Sequence, residues 1–181
     1  MSNLISVTKK IKRFNDKIIV PGDKSLSIRW VLLASLASGT SIAKNLLMSE
    51  DVLAAINTIK KLGIKTIIKK SECKIYGRGF NGYKYKKNLT INAENSGTLG
   101  RLILGFLVNS PYPIKIIGDN SLSKRDFKRI SDPLSKFGVI FKLRKKKFLP
   151  LKIYGSSKLV PIKYFENKGS AQCKSSVIFA A

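Results

Sequence analysis

Apolar residues recur along this chain with two different periods, which predict helices in some segments and strands in others. Leu26–Ala37 and Leu99–Val108 carry apolar side chains at helical spacing, and each run follows a loop of glycine, serine and other polar residues. These patterns predict helices that begin beside the polar loops. Short apolar runs between turn residues predict strands at Lys17–Val20, Thr40–Leu46, Ile64–Lys69, Cys73–Tyr76, Asn88–Ile91, Tyr112–Ile117, Val139–Leu143, Leu151–Tyr154 and Ile162–Phe165.

Two further helices are predicted after short clusters of capping residues. Ser49–Asp51 precedes apolar residues at helical spacing, and Ser131 is the predicted N-cap of a second such helix, with Pro133 in its first turn. Both helices are followed by a glycine, Gly63 or Gly138, at the position where a helix commonly ends. Three acidic residues, Asp23, Asp51 and Asp119, are interpreted as loop and cap residues.

The predicted elements occur twice in the same order. The tetrapeptide Lys-Ile-Tyr-Gly stands at positions 74–77 and again at 152–155, and Arg29 and Arg101 occupy equivalent places early in the two first helices. Each copy predicts a βαβαββ unit, so the expected fold class is α/β (α+β) with repeated units. The two units span about 21–87 and 88–160, and residues 161–181 have the pattern of an incomplete third. We therefore expect this sequence to be the N-terminal fragment of a larger protein.

Composition excludes several kinds of catalytic site. The sequence contains no histidine, which excludes a Ser-His-Asp triad, a Cys-His dyad and every histidine-ligated metal site. Its two cysteines, Cys73 and Cys173, lie in no CxxC pattern and are expected to be reduced thiols. No signal peptide is recognisable, and no apolar run reaches the roughly 20 residues of a membrane-spanning helix. These features predict a cytoplasmic protein.

The charge balance is strongly basic, with 35 lysines and arginines, 10 acidic residues and a formal net charge of +25. Such a charge is typical of proteins that bind nucleic acid. The lysines are nevertheless spread along the whole chain, with only short runs such as Lys145–Lys147, and no nucleic-acid-binding motif is recognisable. Most of the excess charge is therefore interpreted as a solvated surface, and a few particular cations as ligands of an anionic metabolite.

Three polar loops precede predicted helix starts and are candidate anion sites. They are Gly22–Ser25, Asn95–Thr98 and Lys168–Gln172. The first backbone N–H groups of a helix have no partner within the helix, and the helix dipole favours negative charge there. Hydroxyl groups and cations near these loops would strengthen the binding of phosphate or carboxylate. The cations are Lys24, Arg29, Arg101 and Arg125.

Five motifs in this order resemble those of the 5-enolpyruvylshikimate-3-phosphate (EPSP) synthase family. They cover residues 21–181, which corresponds to the first two-fifths or so of a typical member. The motifs are Lys24–Arg29 with Leu32–Gly39; Asn95–Thr98 with Arg101; Gly118–Leu122 with Arg125 and Asp132–Leu134; Pro150–Ile153; and Ser170–Gln172 with Lys174.

The resemblance implies a fold of two globular halves, each built from three βαβαββ units about a pseudo-threefold axis as an inside-out barrel. Residues 1–20 would belong to the other half, and 21–181 would form an incomplete substrate-binding half. The implied reaction transfers the enolpyruvyl group of phosphoenolpyruvate to the 5-hydroxyl of shikimate 3-phosphate, with release of phosphate. This step of the shikimate pathway leads to chorismate and the aromatic amino acids, and glyphosate competes with phosphoenolpyruvate. The family uses no metal or organic cofactor, and the full-length protein is expected to be a monomer.

The resemblance also implies roles for individual residues. Lys24 would contact both substrates, while Gly97 and Arg125 would face phosphoenolpyruvate. The predicted ligands of shikimate 3-phosphate are Ser25, Arg29, Ser170, Ala171 and Gln172. Weaker candidates for substrate contact are Asn95, Thr98, Arg101 and Lys174. The acid-base carboxylates of the family lie in the part that is absent here, so no catalytic residue is predicted in this chain, and the fragment alone is expected to bind anions without turnover.

Two positions depart from the family pattern. Asp126 stands where the family commonly has proline, and its negative charge beside Arg125 would weaken the hold of that arginine on an anion. Ala171 replaces a serine that many members have, which removes one hydroxyl group.

Two other functions remain as alternatives. The related enzyme that transfers enolpyruvyl to UDP-N-acetylglucosamine has Lys-Asn where this chain has Lys24-Ser25, and a cysteine in the loop that here contains Asp119–Leu122. A basic nucleic-acid-binding or scaffolding module is the alternative from a different class.

Overall fold

The structure is a computed structural model that describes residues 6, 8–10, 12–15, 17–70, 72–167 and 169–181. Of the predicted leading segment, residues 1–5, 7, 11 and 16 lie outside the described residues, as does Lys168 of the third loop. The helices are α1 (Lys24–Leu36), α2 (Glu50–Lys61), α3 (Gly97–Phe106), α4 (Lys128–Ser135) and α5 (Ala171–Ala180). The strands are β1 (Ser38–Ala43), β2 (Lys65–Lys69), β3 (Glu72–Arg78), β4 (Thr90–Asn92), β5 (Ile114–Ile117), β6 (Ile140–Arg144) and β7 (Phe148–Tyr154).

The described chain contains two sheets that repeat the same arrangement. The first has the order β1-β3-β2, with antiparallel neighbours. The second has the order β4-β5-β7-β6, in which β5-β7-β6 matches the first sheet and β4 adds a parallel strand beside β5. In both units a helix separates the last two strands from the strand before them. The predicted repeat and the mixed α/β fold are therefore confirmed.

Close backbone packing explains why the repeated tetrapeptide ends in glycine. A side chain on Gly77 would overlap the carbonyl oxygen of Ala37, which follows α1, and one on Gly155 would overlap the backbone of Ser110, which follows α3. In each unit, the chain that leaves the first helix passes directly over the last strand. Only glycine leaves room for that approach.

Helices α1, α3 and α5 begin with the same type of cap. The side chains of Asp23, Ser96 and Ser170 each accept a hydrogen bond, at 2.7 to 3.3 Å, from the backbone amide three residues later. This bond satisfies one of the amides that the helix itself leaves unpaired. Helices α1 and α3 each start two residues earlier than the apolar pattern predicts, because the polar residues after each cap already form part of the first turn.

Helix α3 lies at the centre of the core. Every residue of this helix is buried except Arg101, which is half-buried, as expected for a helix that is apolar on all sides. A side chain on Gly105 would overlap the carbonyl oxygen of Ser176, so α3 and α5 pack backbone against backbone at this point. Cys73 and Cys173 are buried free thiols, and burial raises the pKa of Cys73.

Two predicted strands are absent. Lys17–Val20 and Ile162–Phe165 are not strands, and Ile18 and Ile19 are 68% and 85% exposed. A strand needs a hydrogen-bonded neighbour, and neither segment pairs with another strand in the described chain. Among the described residues, the edge of β1 that corresponds to the β4 side of β5 therefore has no strand beside it.

The predicted start of the fourth helix is wrong. Helix α4 begins at Lys128, so Ser131 is not its N-cap and Pro133 lies inside the helix. The carboxylate of Asp126 accepts a hydrogen bond from the Lys128 amide at 2.8 Å and thereby supports the earlier start. Proline has no N–H to donate to the helical carbonyl of Arg129, and the thiol of Cys173 donates to this carbonyl instead, at 3.7 Å. The predicted C-terminal stops at Gly63 and Gly138 are confirmed, and both glycines have positive φ.

None of the helices in the described part of the chain is long and apolar enough to cross a membrane.

Candidate anion-binding site

Side-chain hydrogen bonds join the first turns of α3 and α5. Nε2 of Gln172 donates to Oγ1 of Thr98 at 3.0 Å, and Nη1 of Arg101 donates to Oε1 of Gln172 at 2.6 Å. The hydroxyl of Ser176 donates to the carbonyl of Arg101 at 3.1 Å. The second and third predicted anion loops therefore meet, and Gln172 of the third loop makes the contact.

Helix α1 is joined to the first turns of α5 through Arg29. Nη2 of Arg29 donates to Oγ of Ser175 in α5 at 3.3 Å, and Nη1 donates to the carbonyl of Ser25 at 3.3 Å. Helix α5 is thus hydrogen-bonded to both α1 and α3. This arrangement places the cations of the predicted site near the N-terminal turns, where negative charge is favoured.

Two guanidinium groups approach the backbone of Gly97. A Cβ atom on this residue would lie 2.9 Å from Nη1 of Arg125 and 3.1 Å from Nη1 of Arg101. Gly97 is buried in the first turn of α3 and does not have positive φ, so its conformation does not by itself require glycine. In the described chain neither arginine forms an ion pair with a carboxylate. Burial lowers the pKa of Arg101, and the charges of Arg129 and Arg125 lower it further.

The carboxylate of Asp126 does not pair with Arg125. Its oxygens accept from the Lys128 amide and lie 3.4 Å from Nζ of Lys147. Burial raises the pKa of Asp126, but the hydrogen bond from Lys128 and the charge of Lys147 outweigh this effect, and the pKa lies below its ordinary value. Asp126 was expected to weaken the hold of Arg125 on an anion, but the two side chains form no ion pair. Arg125 is exposed and available to a ligand.

Lys24 has a partner that sequence reasoning missed. Its ammonium lies 3.7 Å from a carboxylate oxygen of Asp51, with the lysine side chain 50% exposed and the aspartate side chain 18% exposed. The sequence indicates only a loop or capping role for Asp51, because its place in the first turn of α2 does not reveal a contact with α1. The pair restrains Lys24 but leaves half of its side chain open to solvent.

The remaining predicted residues are less closely connected. Ser170 serves as the cap of α5, and Ala171 is the exposed first residue of that helix. Asn95 and Lys174 are also exposed, and within the described chain no side-chain hydrogen bond joins either of them to the other site residues. An open cavity of about 750 Å³ includes Asn95, but the cations of the predicted site do not line it; its charged lining residues are Glu50, Glu94, Asp119, Lys60 and Lys61.

The fold and the site together define a mixed α/β protein with a candidate anion-binding site at the N-terminal turns of its helices. Two units that share the order helix-strand-helix-strand-strand, and the helix that follows them, carry lysine, arginine, amide and hydroxyl side chains at the N-terminal turns of α1, α3 and α5. The sequence profile of the family described as EPSP synthase (3-phosphoshikimate 1-carboxyvinyltransferase) matches residues 8–181, and the chain belongs to this family.

Individual relatives agree with this assignment. The chain is 42% identical over 173 residues to a 3-phosphoshikimate 1-carboxyvinyltransferase from Sulfurihydrogenibium sp., which covers 95% of this chain and 40% of the relative. It is 42% identical to the enzyme of the same name from Caldicellulosiruptor bescii, over 94% of this chain and 39% of the relative. The solved structure of EPSP synthase from Acinetobacter baumannii superposes with a TM-score of 0.86 at 35% identity, over 91% of this chain and 37% of that one. This chain thus spans about two-fifths of the length of the relatives it matches.

Proposed function

We propose that this chain forms part of the substrate-binding half of an EPSP synthase. The whole enzyme would transfer the enolpyruvyl group of phosphoenolpyruvate to the 5-hydroxyl of shikimate 3-phosphate and release phosphate. The observation that carries this proposal is the pair of guanidinium groups, Arg101 and Arg125, at the backbone of Gly97 without a carboxylate counterion in the described chain. Two uncompensated cations at a helix N-terminus favour an anionic ligand.

The proposed roles follow the chemistry of each side chain. Arg29 and Arg125 present planar forks that can donate two hydrogen bonds to a phosphate or carboxylate, whereas Lys24 supplies a compact charge that two anions can share. The proposed contacts to shikimate 3-phosphate are Lys24, Ser25, Arg29, Ser170, Ala171 and Gln172, and those to phosphoenolpyruvate are Lys24, Gly97 and Arg125. We further propose that 21–87 and 88–160 are two complete units, that 161–181 begins a third, and that 1–20 belongs to the other half.

The described residues can bind and orient the two substrates but supply no obvious group for proton transfer. The reacting hydroxyl must lose a proton as it forms its bond to phosphoenolpyruvate. None of the proposed ligands is a carboxylate, and the nearby Asp51 is paired with Lys24. The proposal therefore assigns substrate positioning to this chain and proton transfer to residues outside it.

Calorimetric titration of the chain with shikimate 3-phosphate tests the proposal. We expect saturable binding with one ligand per chain and only a modest loss of affinity between 50 and 200 mM salt. A nucleic-acid-binding module would instead prefer a DNA or RNA oligonucleotide and would lose affinity steeply over this range. Absence of saturable binding to shikimate 3-phosphate, together with tight binding to the oligonucleotide, would contradict the proposal.

Replacing Lys24 by methionine should weaken binding of shikimate 3-phosphate by about 10- to 150-fold. The substitution keeps the unbranched side chain and removes a charge-assisted hydrogen bond, which is worth about 1.5–3 kcal/mol. The matched control is Lys146→Met, at an exposed residue of the turn between β6 and β7, which should leave the affinity nearly unchanged. If both variants retained the wild-type affinity in calorimetry, Lys24 would not be a substrate ligand.

Replacing Gly97 by alanine should weaken glyphosate inhibition by a larger factor than it raises the KM for phosphoenolpyruvate. The added methyl group would enter the space next to Arg125 and Arg101, and a longer inhibitor tolerates the lost space less well than the substrate does. The folding stability should change little, because Gly97 does not have positive φ and the nearest atom in the way belongs to the exposed side chain of Arg125, which can move aside.

Both constants can be measured in a chimaera that joins this chain to the remaining part of the Sulfurihydrogenibium relative. An unchanged ratio of the two constants, with a lower melting temperature, would mean that Gly97 serves the fold rather than the substrate.

A further inference from the structure

The side-chain amide of Gln172 is held in one orientation by its neighbours. Its oxygen accepts from Nη1 of Arg101 at 2.6 Å, and its nitrogen donates to Oγ1 of Thr98 at 3.0 Å. A guanidinium group has donors and no acceptor, so it can face only the oxygen of the amide. The nitrogen of Gln172 must therefore turn toward the first turn of α3.

This orientation leaves one N–H group of Gln172 for a ligand. An amide nitrogen has two donor hydrogens, and Thr98 accepts only one of them in the described structure. If the amide were reversed, a lone pair of its oxygen would face any anion bound at the N-termini of α3 and α5. The orientation of a single side chain thus decides whether Gln172 attracts or repels an anion.

The guanidinium group of Arg101 lies among other groups of the protein rather than in open solvent. Its guanidinium carbon lies 5.5 Å from the centre of the Phe127 ring, and its own carbonyl accepts from Ser176. Its Nε atom is buried without a hydrogen-bond partner among the described residues. A half-buried guanidinium group that lies near the Phe127 ring and already donates to Gln172 is better placed to orient that neighbour than to contact a substrate directly.

We propose that Arg101 is a positioning residue that acts through Gln172, fixing the side-chain amide so that an N–H group faces the anionic substrate. This role differs from the direct substrate contact that the sequence predicts for Arg101. The inference rests on the proposed function, because the anion it serves is the phosphate or carboxylate of shikimate 3-phosphate or phosphoenolpyruvate.

The first test needs no ligand. In the nuclear Overhauser spectrum of the 181-residue chain, the side-chain amide protons of Gln172 should show a cross-peak to the methyl group of Thr98. Arg101→Met should weaken this cross-peak severalfold, because nothing then selects the amide orientation. Arg101→Lys should keep it, since the ammonium group is also only a donor. Arg125→Met, which removes a cation without contact to Gln172, is the matched control and should leave the cross-peak intact.

The second test is a double-mutant cycle on the affinity for shikimate 3-phosphate. Arg101→Met and Gln172→Ala should each weaken binding by about tenfold, and the double variant should bind within about twofold of Gln172→Ala alone. Arg101→Lys should bind within about threefold of the wild type. Effects of Arg101→Met and Gln172→Ala that simply multiply would show that Arg101 contacts the ligand directly and would overturn the inference.

The two tests also separate this inference from the proposed function. If the wild-type chain does not bind shikimate 3-phosphate, the proposed function fails, and the proposed link to substrate fails with it. If the wild type binds but the cross-peak persists in Arg101→Met, only the positioning role is wrong. If Arg101→Met does not fold, as judged by circular dichroism, Arg101→Lys decides the matter: loss of its cross-peak or of more than tenfold in affinity would overturn the inference.

Discussion

The 181-residue chain, purified by itself, is expected to release no phosphate from a mixture of shikimate 3-phosphate and phosphoenolpyruvate. The chain spans about two-fifths of the length of its enzyme relatives, and its proposed substrate ligands include no carboxylate. General acid-base catalysis commonly contributes roughly 10²- to 10⁴-fold to an enzymatic rate, and contacts from the rest of the enzyme would be missing as well. A continuous phosphate assay over several hours should therefore give the uncatalysed rate.

The chimaera with the Sulfurihydrogenibium relative provides the positive control for this experiment. It should turn over substrate under the same conditions, which would show that the residues of this chain are competent when the remainder is present. Clear phosphate release by the unfused chain would contradict the prediction and would require an acid-base group within these 181 residues.

The second large effect concerns the packing of α3 against α5. Replacing Gly105 by alanine should lower the free energy of unfolding by about 2 kcal/mol or more, because the new methyl group would overlap the backbone carbonyl of Ser176 and force the helices apart. The loss outweighs the gain of about 1 kcal/mol that alanine brings to a helix interior. Urea denaturation followed by circular dichroism measures the difference.

Gly100 offers a matched control on the same helix. A Cβ atom there would meet only side-chain atoms, of Phe127 at 3.3 Å and of Ala93 at 3.4 Å, which can shift slightly. Gly100→Ala should therefore change stability by less than about 1 kcal/mol, since the gain in helix propensity offsets the tighter contact. Equal effects of the two substitutions would mean that the close approach of α3 and α5 is not what requires glycine at position 105.

Much of the fold could be predicted from local patterns. The helices that follow the three polar loops depend on residues a few positions apart, so the sequence predicts them, whereas the caps at Ser96 and Ser170 are seen only in the structure. The strands predicted at Lys17–Val20 and Ile162–Phe165 are wrong, because strand formation depends on a partner elsewhere in the chain, which an apolar run does not reveal. The start of α4 was wrong because Ser131 and Pro133 look like a cap and a first turn, whereas Asp126 supports an earlier start.

The candidate site was predictable in its composition but not in its connections. The motifs identified the cations and the polar loops, whereas the contacts of Arg101 with Gln172 and of Lys24 with Asp51 join residues from different elements. The influence of Asp126 on Arg125 also depends on where its side chain points: the carboxylate is next to Arg125 in sequence but turns toward Lys147. Such contacts depend on side-chain geometry that sequence spacing does not determine.

The hydrogen bonds of α5 also determine when the site can form. The bond from Arg29 to Ser175 closes a loop of 146 residues, and the bond from Gln172 to Thr98 closes one of 74. By contrast, the strand pairs of each sheet are complete within a single unit. During synthesis both sheets can therefore assemble before α5 leaves the ribosome, so the contacts of Gln172 and Ser175 are the last part of the candidate site to form. For the same reason, undocking of α5 would break the hydrogen bonds that join it to α1 and α3 while the strand pairs stay intact, so loss of these contacts would report local rather than global unfolding.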